Sequence, residues 1–228
     1  MQSRVGRIAS VARKKLTIPL LCQEAAEFAK LVSSYPEPTL YGVTDGKAVG
    51  TYLEHKLRAH LDVTYQTTDG NSALGVDFPA LAVDLKVTSI AQPQSSSPFK
   101  SARQKIFGLG YSLLIFVYDK EDDPRTNSAV LSIRHTLFIE ARRTADFTMT
   151  RLILEHLRAG CNADDLIGLM QDKNLPVDDI EANNIARDLL DTPCEQGYLT
   201  ISNALQWRLQ YGRAIQEAGN IDGILRLT

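Results

Sequence analysis

The sequence has few cysteines, no long apolar run and almost no net charge. Its three cysteines, Cys22, Cys161 and Cys194, are odd in number and show no Cys-x-x-Cys spacing. This argues against a disulfide framework and against a cysteine zinc site. No apolar stretch approaches the roughly 20 residues that a membrane-spanning helix needs, and the basic first segment lacks a small-residue cleavage site. We therefore expect a cytoplasmic globular protein with reduced thiols and no membrane contact.

Charge is distributed unevenly, although the net charge is only −2. Residues 146–228 carry seven Lys or Arg against thirteen Asp or Glu, whereas residues 1–145 have an excess of four basic residues. The chain as a whole therefore gives no basic signal for nucleic acid. The first part of the chain is the basic one.

Hydrophobic periodicity predicts an alternation of helices and strands in the first part of the chain. The helix predicted over residues 44–61 has an apolar residue at every fourth position, and the serine-rich stretch 91–98 is expected to be a mobile loop. The predicted helices are 23–35, 44–61 and 99–110, and the predicted strands are 76–90, 111–120 and 128–142.

A separate module is predicted to follow, with a boundary near residues 144–148. Asn162 and Asp178 are suitable N-caps for the second and third of its helices. Three helices followed by a hairpin is the order of a winged helix–turn–helix. The predicted helices are 147–160, 162–173 and 178–191, and the strand-like segments are 198–202 and 205–215.

Residues 75–90, GVDFPALAVDLKVTSI, place three charged side chains within an apolar run. Buried charge is costly unless it is paired. In an extended strand Asp84 and Lys86 project from the same face, about 6.5–7 Å apart, and a bend at Pro79 would let Asp77 turn toward that face. Two converging carboxylates suit Mg²⁺, and the lysine could offset their repulsion, contact a phosphate or orient water. The alternative is an exposed polar face with an incidental Asp–Lys pair.

Glu54 is a further candidate acid on the helix predicted over residues 44–61. It lies next to the apolar stripe of that helix, so its side chain can border the buried face. The alternative is a solvated carboxylate or an i,i+4 partner of Arg58.

Two segments together, DGKAVGTYLEHKL and DFPALAVDLKVTSI, resemble the MutH-type endonucleases and related restriction enzymes of the PD-(D/E)XK nuclease superfamily. The helix glutamate of the family pattern falls on Glu54, the first metal-binding acid on Asp77, the second on Asp84 and the lysine on Lys86. The chain departs from MutH in having Asp84 in place of a glutamate. The resemblance implies DNA cleavage that depends on Mg²⁺, with Asp77, Asp84 and Glu54 as metal ligands and Lys86 as a catalytic residue.

The expected fold class is α/β. The resemblance implies a restriction-endonuclease-like mixed β-sheet flanked by helices over residues 1–145, followed by a winged helix–turn–helix over residues 146–228. The expected function is that of a type II restriction enzyme that cuts double-stranded DNA as a homodimer. Two alternatives stay open, a MutH-like repair nickase that needs a partner protein and a non-catalytic winged-helix DNA-binding regulator.

Predicted DNA contacts come from three segments. Basic residues after the serine-rich loop could contact phosphates, the third helix of the winged helix could enter the major groove, and its hairpin is locally basic and aromatic. The alternatives are a solvated helix face for the first segment, and dimerisation or packing for the C-terminal module, whose net charge of −6 opposes DNA binding. The predicted contacts are Lys100, Arg103 and Lys105, then Asn183, Asn184 and Arg187, and finally Trp207, Arg208, Tyr211 and Arg213.

Overall fold

The computed structural model describes residues 13–66, 75–98, 100–202 and 207–228. The described helices are α1 (Ile18–Ser33), α2 (Gly46–Asp62), α3 (Gln104–Phe107), α4 (Phe147–Arg158), α5 (Ala163–Asp172), α6 (Asp179–Asp191) and α7 (Gly212–Glu217). The described strands are β1 (Lys14–Lys15), β2 (Pro36–Glu37), β3 (Tyr65–Gln66), β4 (Val83–Ser89), β5 (Gln94–Ser97), β6 (Ser112–Asp123), β7 (Ser128–Ile139), β8 (Thr200–Ile201), β9 (Trp207–Gln210) and β10 (Ile224–Arg226).

A mixed β-sheet with strand order β10-β7-β6-β4 forms the centre of the fold. β4 runs parallel to β6, whereas β6, β7 and β10 are antiparallel neighbours, and β2 pairs with the start of β7. The register places Asp84 of β4 beside Leu113 of β6. The predicted mixed sheet with flanking helices is therefore confirmed, and β4 is the last strand in that order.

One face of the sheet is covered by α1 and α2. The four apolar residues at every fourth position of α2 are no more than 1% exposed, which confirms the predicted stripe. They pack with Phe28 of α1 and Phe116 of β6 in one apolar cluster. Asp45 caps α2, since its carboxylate accepts the Lys47 N–H. This packing fixes the helix that carries Glu54 against the strand that carries Asp84.

The opposite face is covered by the C-terminal part of the chain. Trp207, Leu209 and Tyr211 pack with Leu113 and Ile115 of β6 in a second cluster. β10 joins the central sheet, and β9 pairs with both β8 and β5 in a separate sheet. Both sheets and the second apolar cluster therefore contain residues from before and after the predicted boundary near residue 145.

The C-terminal helices agree with the sequence pattern, but the strands after them are shorter than expected. Asn162 and Asp178 cap α5 and α6 as predicted. β9 ends at Gln210 and the chain then enters α7, so the long second strand predicted over 205–215 is wrong, with residues 205 and 206 outside the described part. The winged helix–turn–helix itself stays a prediction.

The serine-rich stretch 91–98, predicted to be a mobile loop, contains β5. Its residues lack the apolar alternation of a half-buried strand, so they form a strand only because they pair with β9. Residue 99 lies outside the described residues, and the helix predicted over 99–110 is reduced to the four residues of α3. Among the described helices, none combines the length and the apolar character that crossing a membrane requires.

Candidate active site

A tight bend brings Asp77 alongside β4. Residues 79–81 form a single 3-10 turn that begins at Pro79, and Ala82 adopts a left-handed backbone with φ of 51°. The backbones of Phe78 and Val83 then pair across the bend. Asp77 consequently faces the strand, and its Oδ2 accepts the Leu85 N–H at 2.8 Å. The bend predicted at Pro79 is present.

Asp84 and Lys86 form a close ion pair on one face of β4, the site face. The Lys86 Nζ lies 2.7 Å from Asp84 Oδ2, and the side chain of Asp84 is 8% exposed. Burial raises the pKa of Asp84 to about 6; the charge of Lys86 opposes that rise, whereas the hydrogen bond and charge of Asp77 add to it. Two carboxylates and one ammonium therefore share a poorly hydrated site.

Arg58 links Glu54 to this group. Its Nε donates to Glu54 Oε1 at 3.2 Å, and its Nη2 donates to both Oδ1 and the backbone oxygen of Asp77 at 3.2 Å. The guanidinium also lies over the Phe78 ring, 5.6 Å from its centroid. Glu54 is thus the i,i+4 partner of Arg58 and reaches Asp77 through it. Sequence reasoning missed Arg58 as a site residue, although its spacing from Glu54 was the available signal.

Oxygen ligands at this position fit Mg²⁺. The ion is commonly held by one or two carboxylates together with substrate phosphates, and Asp77 and Asp84 supply two adjacent carboxylates whose repulsion a cation would relieve. Within the described ranges, no group of three His, Cys, Asp or Glu side chains is arranged to hold a metal. The structure therefore brings two of the three predicted metal ligands, Asp77 and Asp84, together. Arg58 lies between Glu54 and Asp77.

Three of the predicted DNA contacts are buried. Trp207 and Tyr211 are 0% exposed because they point into the second apolar cluster. Lys105 is also buried, and its Nζ donates to the Ile201 backbone oxygen at 2.8 Å. Burial lowers the pKa of Lys105. The prediction that these three side chains contact DNA is corrected, since they lie inside the protein.

Another predicted contact, Arg103, is held by acids of α6. It pairs with Glu181 at 3.3 Å and with Asp188, and its guanidinium lies 4.9 Å from the Phe107 ring centroid. The Arg213 guanidinium lies over the Phe147 ring. Both arginines therefore already make contacts within the chain.

The remaining predicted contacts are on the surface. Asn183, Asn184 and Arg187 are exposed on α6, and the Asn183 amide donates to the Asp179 backbone oxygen at 2.8 Å. Lys100 and Arg208 are exposed as well. These side chains are far apart in sequence and belong to three different parts of the fold.

Comparison with known proteins identifies the family. The profile of the type II restriction enzyme NspV matches residues 15–226. A type II restriction enzyme NspV from Nostoc sp. (strain ATCC 29411 / PCC 7524) is 64% identical over 210 residues, which cover 92% of this chain and 96% of that protein. The chain belongs to the NspV family of type II restriction enzymes.

Membership of the NspV family supports cleavage of double-stranded DNA at specific sequences as the activity of this chain. It supports the restriction-enzyme hypothesis over the repair nickase and the non-catalytic regulator. No solved structure matches the chain.

The buried charge of Asp84 predicts a measurable cost in stability. The ordinary pKa of an aspartate is 3.8 and that of folded Asp84 is about 6, so the folded state binds more protons between these values and loses stability as the pH rises through them. In metal-free buffer we expect Asp84→Asn to be as stable as the wild type near pH 4. At pH 7 it should be about 3 kcal/mol more stable, measured by urea unfolding.

Asp122→Asn is the matched control for this measurement. Asp122 also pairs with a lysine two residues away, Lys120, but that hydrogen bond lowers the pKa of Asp122. Its contribution is therefore lost as the pH falls, so its replacement should destabilise the protein at pH 7. An Asp84→Asn protein less stable than the wild type at pH 7 would contradict the expected cost.

Proposed function

We propose that this chain is a type II restriction endonuclease in which Asp77 and Asp84 hold Mg²⁺ and Lys86 acts at the scissile phosphate. The observation that carries the proposal is the convergence of these three side chains at β4. The bend at Pro79 brings Asp77 to the strand, and alternation puts Asp84 and Lys86 on one face.

Each side chain has a defined role in the proposed reaction. Mg²⁺ bound there would polarise the phosphorus–oxygen bond and promote ionisation of the attacking water. Asp77 and Asp84 would hold the cation beside a DNA phosphate. The Lys86 ammonium has three donors and one is directed to Asp84, which leaves others to orient water and to offset charge developing on the phosphate.

Glu54 acts in this proposal as an accessory acid through Arg58. By holding one guanidinium between them, Glu54 and Asp77 keep the Asp77 carboxylate in one orientation. Since both carboxylates need that orientation to share a cation, Arg58 is a positioning residue.

Cutting a duplex requires two cleavage events on opposite strands. One chain supplies one Asp77, Asp84 and Lys86 group, so we propose that a homodimer acts on double-stranded DNA. Lys100, exposed after the serine-rich stretch, is proposed as a phosphate contact. Sedimentation on a cognate duplex should give two copies per DNA molecule.

The direct test is incubation of the purified protein with long unmethylated DNA and Mg²⁺. A restriction enzyme should yield discrete fragments with both strands cut, and chelation with EDTA should stop the reaction. A smear of fragments, nicks in one strand only, or intact DNA would contradict the proposal.

Replacement of Arg58 tests its positioning role. Arg58→Met removes both hydrogen bonds to Asp77 and keeps an apolar side chain over Phe78. We expect the cleavage rate at limiting Mg²⁺ to fall about 10- to 100-fold, because small misplacements of a reacting group are costly. Excess Mg²⁺ should recover part of the loss, measured as single-turnover rate against Mg²⁺ concentration.

Arg134→Met is the matched control, since Arg134 makes an exposed ion pair with Asp119 at 2.9 Å. It should leave the Mg²⁺ dependence of cleavage unchanged. The positioning role of Arg58 fails if both variants show the wild-type dependence on Mg²⁺.

A further inference from the structure

The sheet formed by β5, β9 and β8 places a row of polar side chains in register. Gln210 of β9 is paired with Gln94 of β5 on one side and with Thr200 of β8 on the other, and Arg208 is paired with Ser96. Because alternate residues of a strand project to opposite faces, these five side chains share one face of the sheet.

That face is turned away from the core. The alternate residues Trp207, Leu209 and Ile201 are at most 2% exposed and pack in the second apolar cluster. On the outer face Arg208 and Gln210 are exposed, and Gln94 is partly exposed. The apolar inner face therefore fixes the direction in which the polar side chains point.

The outer side chains are available to a ligand. Those of Gln94, Arg208 and Gln210 make no hydrogen bond or ion pair with another residue in the described part of the chain. None of the five outward-facing residues of this sheet is acidic. The surface thus offers amide, hydroxyl and guanidinium groups with no negative charge to repel phosphate.

This set of groups matches the edges of DNA bases. Glutamine pairs bidentately with adenine, arginine with guanine, and serine or threonine can bond to either. An antiparallel β-ribbon is one of the elements that the major groove admits. The chemistry and the shape of the surface therefore suit sequence reading in the major groove.

The surface adjoins the proposed catalytic group. Thr88 lies on β4 two residues beyond Lys86, about 7 Å along the strand and on the same face. Its hydroxyl oxygen accepts the Gln94 N–H at 3.0 Å, so β5 begins beside the site face of β4. On the inner side, Ser95 is hydrogen-bonded to Tyr211. A duplex whose phosphate lies at Lys86 would present its bases near Gln94.

Helix α6, the predicted recognition helix, is less suited to base recognition than the outer face of this sheet. Glu181 and Asp188 are committed to Arg103, and the Asn183 amide is used within the helix. Its first turn carries Asp179 and Glu181, whose charges oppose phosphate. The charges on the two surfaces therefore favour the sheet over α6 as the surface that contacts DNA bases.

We propose that the outer face of the β5–β9–β8 sheet reads the DNA sequence, with Gln94, Arg208 and Gln210 as the residues that determine specificity. This inference rests on the proposed function, because it assigns base recognition to an enzyme that cuts duplex DNA. Base recognition would then take place on a surface built from two segments more than 100 residues apart.

The test uses the full chain and three single variants, Gln94→Leu, Gln210→Leu and Arg208→Met, with Asn184→Leu and Arg187→Met on α6 as matched controls. Cognate duplexes and duplexes with single base-pair changes are cleaved in Mg²⁺. Each sheet variant should lose about 10- to 100-fold of its discrimination at one base position, and the α6 controls should lose none.

A second measurement does not depend on cleavage. Binding selection from a randomised duplex pool, with Ca²⁺ in place of Mg²⁺, should give a sequence preference that each sheet variant relaxes at one position. Wild-type preferences in all three sheet variants, or relaxed preferences in the α6 controls, would overturn the inference. Failure of the wild type to cut DNA while it still shows a preference would count against the proposed function and leave the reading surface testable.

Discussion

Replacement of Asp84 by asparagine should abolish DNA cleavage and leave the fold and DNA binding in place. The asparagine keeps the shape of the side chain but cannot supply the negative charge that holds a cation beside Asp77. If loss of the cation removes about 4 kcal/mol of transition-state stabilisation, the rate falls about 1000-fold. Single-turnover cleavage of a labelled duplex measures this loss.

The chain contains a closely matched control. Lys120 and Asp122 on β6 also form a Lys–Asp ion pair two residues apart on one strand. That pair lies near the end of β6, at the surface turn that leads to β7. Asp122→Asn should therefore cleave at the wild-type rate. Lys86→Gln should lose cleavage as Asp84→Asn does, because the ammonium would no longer be present at the phosphate.

Unfolding measurements complete this experiment. Since Asp84→Asn is expected to be at least as stable as the wild type at pH 7, lost activity cannot be ascribed to a lost fold. If Asp84→Asn retained more than a tenth of wild-type activity, the assignment of the active site would be wrong.

Replacement of Trp207 by alanine should destabilise the protein by about 3–5 kcal/mol, because a large and fully buried side chain would leave a cavity. Trp207 packs against the β6 side of the core through the inner face of the small sheet. Denaturant unfolding measures the loss, and DNA binding should weaken only to the extent that the protein unfolds.

The neighbouring residue provides the control for Trp207. Arg208 is exposed on the outer face, so Arg208→Ala should change the free energy of unfolding by no more than about 0.5 kcal/mol. If Trp207→Ala instead kept full stability and lost DNA binding, the aromatic ring would be a DNA contact, as the sequence pattern had suggested.

Much of the candidate active site could be predicted from local sequence. Alternation along one strand puts Asp84 and Lys86 on the same face, and Pro79 marks the bend that returns Asp77. Helical spacing likewise relates Glu54 to Arg58. These relations depend on the geometry of a single strand, turn or helix, so the order of residues is sufficient to determine them.

The three C-terminal helices were also predictable from their apolar patterns, whereas the mixed sheet was expected from the resemblance to a nuclease family. What the pattern could not supply was the partner of each element. Whether Arg58 reaches Asp77, 19 residues away, depends on how α2 packs against the bend. Likewise, Trp207 and Tyr211 become core residues because the segment that carries them packs against β6.

The clearest difference between sequence and tertiary structure is the stretch that contains β5. By itself the sequence determined a polar, serine-rich segment after the strand that carries Asp84 and Lys86, with no period that indicates a strand. Only pairing with β9, more than 100 residues later, turned it into a strand and aligned Gln94 with Gln210. The physical reason is that backbone hydrogen bonds between strands require no particular side chain, so the partner decides where a polar segment becomes part of a sheet.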